Sequence, residues 1–275
     1  MMSIGLSSVT TVMLQHPGNG VLLKQDKSME ENLQMKSIAI IPARGGSKRI
    51  PHKNLVELSG KPLLAWTIEA ALDAWTVDGV FVSTEDDMIA YTARRFGAEV
   101  IQRPQNLSQD KTGTEPVLIH ALDWLKTHCQ IEPEHVILLQ CTSPLRGTDI
   151  INRAMEKAIT SHCDSVVGVH PTIDYFFSGQ IEDEQLSVEY DPLKRPRTQD
   201  IKPRYRENGS TYVVRTEFLK RTGCRMGGDM RPVVMTPTEG LDIDDIRDLA
   251  MARLCMEERN GQGESPFSPQ LTLLG

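Results

Sequence analysis

The run His135-Val136-Ile137-Leu138-Leu139-Gln140 is apolar at four successive positions and is too short for a buried helix. A strand with one face in water alternates apolar and polar residues. One that is apolar throughout belongs in the middle of a sheet covered on both faces, and such sheets are mostly parallel with crossover helices. The rest of the chain should then alternate strand and helix. Ile38-Ala39-Ile40-Ile41 is a second such run, and 79–84, 99–101, 164–169, 211–214 and 232–235 read as further strands. Between them lie helical stripes. Leu64, Ile68, Ala71 and Leu72 share one face over 61–73, and Val117, Leu118, Ala121, Leu122 and Leu125 share one after Thr114-Glu115-Pro116. Ile151, Ala154, Met155 and Ala158 mark a helix from Thr148 or Asp149, and shorter helices are expected at 217–221 and 245–258. Asp86 or Asp87 is placed to cap a helix that Gly97 ends. The expected fold is α/β, a doubly wound and mostly parallel sheet with one insertion.

The pattern stops at both ends and once in the middle. Residues 1–36 are polar and poorly patterned and read as a flexible extension, with Met29 or Met35 as alternative starts. Residues 261–275 read as a loose tail, and 37–260 as the domain. Within it, 171–206 is rich in Pro, Arg and acidic residues and fits an excursion from the sheet. No apolar run approaches the roughly 18 residues of a membrane span. Five scattered cysteines, none spaced as C-x-x-C, suggest reduced thiols in a cytoplasmic protein rather than a disulfide frame or zinc site.

The chemistry is expected at the carboxyl ends of the strands. The first strand ends in Pro42-Ala43-Arg44-Gly45-Gly46-Ser47-Lys48-Arg49-Ile50-Pro51-His52-Lys53-Asn54. Gly45 and Gly46 let backbone N–H groups turn toward an anion, and Arg44, Lys48, Arg49 and Lys53 supply charge. Since the whole chain carries a net charge of −7, this loop reads as a local phosphate site and not part of a nucleic-acid surface, with a solvated basic loop between two elements as the plainer alternative. It matches neither G-x-x-x-x-G-K-[ST] nor G-x-G-x-x-G, which counts against an ATPase and a dinucleotide oxidoreductase. Leu241-Asp242-Ile243-Asp244-Asp245 supplies a second component. If it is extended, Asp242 and Asp244 share a face and suit Mg²⁺ (or Mn²⁺), while capping of the next helix by Asp244 or Asp245 is the plainer use.

A triphosphate cradle with a carboxylate pair fits nucleotidyl transfer. IIPARGGSKRIPHKN, VSTEDDMIAYTARRFGAEVIQRP, LLQCTSPLR, RYRENGSTYVV and GLDIDDIRDL, in this order, resemble the acylneuraminate cytidylyltransferase family, including legionaminic and pseudaminic acid members. The resemblance covers about 37–254. It implies the three-layer α/β/α sandwich of nucleotide-diphospho-sugar transferases and transfer of CMP from CTP to a nine-carbon 2-keto-3-deoxy sugar acid, with release of pyrophosphate. Ala43, Arg44, Gly45, Gly46, Ser47, Lys48, Lys53 and Asn54 would then hold CTP, with Arg103 on the cytosine and Asp110 nearby. Gln140, Thr142, Ser143, Arg197, Arg206 and Asn208 would face the sugar acid, and Arg197 would pair with its carboxylate. Asp242 and Asp244 would hold the metal, and Arg44, Lys53 and Asp242 would be the catalytic set. Residues 171–206 would form a homodimer and close over the sugar site. Two positions depart from the family: Cys141 stands where proline is usual, and His170-Pro171-Thr172-Ile173-Asp174 lacks a lysine found in some sialic acid members. The identity of the acid therefore stays open among N-acetylneuraminic, legionaminic and pseudaminic acids. A transferase using GTP or UTP on another sugar, and an inert nucleotide-binding protein of the same fold, are the alternatives.

Overall fold

The computed structural model describes residues 10–16, 19–25, 35–172, 177–180, 185–188, 190–259 and 261. Strands β1 (Thr10–His16) and β2 (Asn19–Gln25) pair antiparallel as a separate ribbon. Both strands lie in the stretch read as a flexible extension, and pairing of backbone groups needs no hydrophobic period that the sequence pattern would show. Residues 1–9, 17–18 and 26–34 lie outside the described residues, as do 260 and 262–275 of the expected tail.

From Ser37 onward the expected alternation is present. Strand β3 (Ser37–Pro42) is followed by the short pair β4 (Glu57–Leu58) and β5 (Lys61–Pro62), then α1 (Leu63–Leu72), β6 (Gly79–Thr84), α2 (Asp87–Arg95) and β7 (Glu99–Gln102). Next come α3 (Thr114–Cys129), β8 (His135–Leu139), α4 (Thr148–Ser161) and β9 (Ser165–Thr172). The small hairpin β10 (Phe177–Gln180) and β11 (Gln185–Val188) precedes β12 (Arg204–Arg215), α5 (Thr216–Thr222), β13 (Met230–Val234) and α6 (Ile246–Arg259). The Asp86 carboxylate caps α2 by accepting from the Met88 and Ile89 N–H groups at 2.9 Å, and Gly97 stops it at φ +92°.

The seven-stranded sheet runs β13-β9-β12-β8-β3-β6-β7. All neighbours are parallel except β12, which lies antiparallel between β9 and β8. Alternate side chains of each strand face opposite layers. Ala39, Ile41, Val82, Ile137, Leu139 and Val213 pack toward α1, α2, α4 and α6, and Ile38, Ile40, Phe81, Val136, Leu138 and Val214 toward α3 and α5. The central run read first from the sequence, Val136 to Leu139, is fully buried. This is a mostly parallel α/β/α sandwich.

Because β12 is reversed, its amino-terminal end lies at the same sheet edge as the carboxyl ends of β3, β8 and β9. Its ladder with β9 breaks between Glu207↔Val169 and Tyr212↔Val167, so residues 208–211 bulge opposite Gly168 alone. A Cβ on Gly168 would stand 2.9 Å from Asn208 Oδ1 and 3.1 Å from the Thr211 carbonyl oxygen, so the bulge requires glycine there. Of the insertion at 171–206, residues 173–176, 181–184 and 189 lie outside the described residues.

Candidate active site

The loop after β3 folds back on itself. The buried Asn54 amide donates to the Arg44 carbonyl at 2.9 Å and closes the ring of residues 44–54. His52 sits at φ +49° just before a single 3₁₀ turn, Lys53–Leu55, which turns Lys53 inward. The result is a cleft of about 460 Å³ lined by Arg44, Ser47, Lys48, Arg49, Lys53 and Asn54, closed on the far side by Asp110, Gln140, Thr142 and Asp244.

Two carboxylates from distant segments meet the loop's cations. Asp110 bridges Arg44 (2.7 Å) and Lys48 (2.5 Å), and Asp244 meets Arg49 (2.9 Å) and Lys53 (3.6 Å). Lys48 and then Arg44 hold the Asp110 carboxyl below its usual range. Most of these pairs are half-exposed and contribute little to stability, but they orient the cations around one space. Lys53 is the more enclosed cation: it also donates to the Ile243 carbonyl at 2.7 Å, tying the loop to residues 241–244.

Not every residue expected in the cradle reaches the cleft. Ala43 is buried, its N–H spent on the Ser83 carbonyl. The Gly45 N–H, expected to turn toward an anion, donates instead to Glu85 Oε1 at 2.8 Å. Gly45 is needed for another reason: a Cβ there would stand 2.3 Å from Asp86 Oδ2. Arg103, expected on a base, is buried with its guanidinium on Glu85 Oε2 at 2.8 Å. Burial alone would raise the Glu85 pKa, but the Gly45 N–H and Arg103 lower it below the usual glutamate value. Glu85 was missed in the sequence. Its only signal was its place at a strand exit, in the polar run Ser83-Thr84-Glu85-Asp86.

A second cavity of about 510 Å³ is lined by His170, Arg206, Glu207, Asn208, Asp242 and Asp248. Residues 241–244 line both cavities, Leu241 and Asp242 the second and Asp244 the first. Between them the Ile243 side chain is fully buried and its N–H donates to the Thr142 carbonyl at 2.8 Å. Ile243 is buried between them, but the two carboxylates line different cavities and not the one shared face expected of an extended segment. Partial burial raises the Asp242 pKa, and the charges of Asp244 and Asp248 raise it further against opposing help from Thr142 and Lys53. Among the described residues no group of three or more His, Cys, Asp or Glu forms a ready metal cage. Mg²⁺ takes one or two carboxylates and completes its shell with water and phosphate oxygens, so the donor chemistry of either Asp242 or Asp244 suits it. The repulsion felt by Asp242 is what such a charge would relieve.

The remaining expected residues divide. Gln140 and Thr142 line the first cavity, and Arg206 and Asn208 the second. Asn208 is also structural, since its side chain accepts from the Ser210 N–H at 3.1 Å. Ser143 is fully buried, away from both cavities. Arg197 is exposed and held by Asp200 at 2.7 Å, and it lines neither cavity. Cys141 is buried with its thiol pushed up to about 12 by burial, so it is an inert filler. His170, also missed, lines the second cavity opposite Arg206 on the paired strand, with a buried Nδ1 that has no partner among the described residues. Burial and Arg206 lower its pKa, which keeps the ring neutral. Among the described residues no helix is long and apolar enough to cross a membrane.

A cytidylyltransferase family model matches residues 38–256. Among curated proteins, pseudaminic acid cytidylyltransferase of Campylobacter jejuni subsp. jejuni serotype O:2 is 32% identical over 225 residues, covering 80% of this chain and 96% of that protein. N-acylneuraminate cytidylyltransferase of Oncorhynchus mykiss is 33% identical over 213 residues, covering 75% of this chain and 47% of that protein. Among solved structures, a CMP:2-keto-3-deoxy-manno-octonic acid synthetase complexed with CTP superimposes with a TM-score of 0.62 at 19% identity, covering 82% of this chain and 99% of the other. A 4-diphosphocytidyl-2C-methyl-D-erythritol synthase from Anaerococcus prevotii gives 0.58 at 12% identity, covering 81% and 96%. At those identities the two structures share the fold.

Proposed function

The chain belongs to the cytidylyltransferase family and is a nucleotidyltransferase, and from that premise we propose that it transfers CMP from CTP to the anomeric hydroxyl of a nine-carbon 2-keto-3-deoxy sugar acid of the sialic, legionaminic or pseudaminic type. The observation that carries this reading is the pair of cavities that both take lining from residues 241–244, one basic and one lined by mixed polar groups. The basic cleft suits a triphosphate. The adjoining cavity suits a polyhydroxylated acid, with Arg206 for its carboxylate and His170 and Asn208 for hydroxyl or amide groups.

In the reaction the sugar oxygen attacks the α-phosphorus. A new P–O bond forms, the bond to the β-phosphate oxygen breaks, and its electrons leave with pyrophosphate. Such a transfer needs positioning and charge stabilisation more than covalent help. Arg44, Lys48 and Lys53 would exchange their carboxylate partners for phosphate oxygens, and Lys53, tied to Ile243, would hold the triphosphate at the boundary with the sugar cavity. Asp242 and Asp244 would hold Mg²⁺, which when bound neutralises phosphate charge. We assign no side chain as acceptor of the hydroxyl proton. The exposed Leu193 and Tyr205 support reading 171–206 as a homodimer contact, which light scattering tests.

Purified protein with CTP, Mg²⁺ and each of N-acetylneuraminic, legionaminic and pseudaminic acid should release pyrophosphate with at least one. Silence with all three overturns the proposal. Asp242→Ala should abolish release while the protein stays folded, and full activity in that variant removes the metal assignment.

A further inference from the structure

Arg146 heads the largest side chains that the fold buries completely. Among the described residues no carboxylate pairs with it, and a guanidinium without a counter-ion is costly to bury. Desolvation lowers its pKa to about 10, so it remains a cation at neutral pH. What holds it is a set of neutral acceptors. Nη1 donates to the Ser210 carbonyl at 2.7 Å, the Gln140 carbonyl at 3.2 Å and Ser210 Oγ at 3.3 Å. Nη2 donates to Thr67 Oγ1 on α1 at 2.9 Å.

Those acceptors join the two halves of the site. Gln140 lines the basic cleft. Ser210 lies in the β12 bulge and donates its N–H to Asn208, which lines the second cavity. The Gln140 N–H in turn donates to the Ser210 carbonyl at 3.1 Å. One planar fork therefore ties the wall of the cleft, the bulge beside the second cavity and α1 together. A lysine would keep the charge but would present a single point in place of the fork.

We propose that Arg146 is a positioning residue for the transfer: it fixes the register between the triphosphate cleft and the sugar-acid cavity, so that the two bound substrates meet in line. The proposal rests on the two-cavity reading given above. A displacement of about 1 Å between reacting groups costs on the order of 100-fold in rate, while each half-site can still bind its own ligand. Loss of the fork should therefore fall on kcat.

The test compares wild type, Arg146→Lys and Thr67→Val by melting temperature, calorimetric CTP affinity, and kcat and KM for both substrates. For Arg146→Lys, CTP affinity and both KM values should stay within about threefold, while kcat falls about 100-fold. Thr67→Val, which cuts only the Nη2 contact, should lower kcat about fivefold with CTP affinity unchanged. A folded Arg146→Lys protein with kcat within threefold of wild type overturns the proposal. So does a fall in kcat that only matches the fall in folded fraction, with kcat per folded molecule unchanged, which assigns Arg146 to stability alone. If Arg146→Lys does not fold, Thr67→Val decides, and an undiminished kcat there overturns the proposal. Wild type that binds CTP yet releases no pyrophosphate with any of the three acids overturns the functional reading and this proposal with it.

Discussion

The two cavities that share residues 241–244 are assembled in different ways. The basic cleft takes Arg44, Ser47, Lys48, Arg49, Lys53 and Asn54 from one continuous loop, and distant segments add only the opposing wall. The second cavity is gathered from the end of β9, the bulge of β12, the turn after β13 and the first turn of α6. Its members are short runs and single residues, at 170, 206–209, 237, 240–242 and 248, that the sheet edge brings together. A site carried by one loop keeps its shape through local bonds such as Asn54 to Arg44. A site gathered from four segments depends on sheet order, on the β12 bulge and on buried braces. Substitutions in the first should act on charge and chemistry, and those in the second on selectivity.

The largest effect is expected at Lys53, where the two constructions touch. Lys53→Ala removes a phosphate-facing cation and the tie to Ile243, and should lower kcat by about 100- to 1000-fold in a pyrophosphate-release assay. A loss confined to the KM for CTP would place Lys53 in the cleft alone. Next comes the support behind the loop. Glu85→Ala leaves the buried Arg103 guanidinium unpaired and frees the Gly45 N–H, and should cost about 3 kcal/mol of stability in urea titration. Because the folded-state pKa of Glu85 is depressed, its contribution is present above the unfolded value. It is lost as pH falls through the lower folded value, so the gap between wild type and variant should close in acid.

A smaller, selective effect is expected in the second cavity. His170→Ala should raise the KM for the sugar acid about tenfold and leave the KM for CTP unchanged, as loss of one hydrogen bond to a bound hydroxyl or amide group would. Equal changes in both KM values would erase the division between the cavities. The smallest effect concerns stability at the boundary. The Asp242 pKa is raised, so ionising it in the fold is unfavourable, and the penalty appears as pH rises above the unfolded value near 3.8. Asp242→Asn should therefore melt slightly higher than wild type at pH 7 and no higher at pH 3, even as it loses activity.

Much of the fold was legible because strand and helix periods are local. The continuous burial of Val136 to Leu139, the cap at Asp86 and the stop at Gly97 follow from neighbours within a few positions. The basic loop was legible for the same reason, as was the burial of Ile243 between Asp242 and Asp244. Gly45 was read as an anion donor from its place in the basic loop, and Arg103 as a ligand group because the family resemblance implies it. Their partner is Glu85, 18 residues from one and 40 from the other. His170 and Arg146 carried no periodic or spacing signal at all.

By itself, the sequence determined the strand–helix alternation, the basic loop and the carboxylate pair, since each depends on short-range sterics, hydrogen-bond geometry or charge within one segment. Tertiary structure alone decided that β12 runs against its neighbours and bulges opposite Gly168. It also decided which cations face solvent and which face a carboxylate, and that Arg146, with no carboxylate partner among the described residues, is buried between Gln140, Ser210 and Thr67. Those outcomes depend on which distant segments share the sheet edge, and burial then sets whether a charge must find a partner.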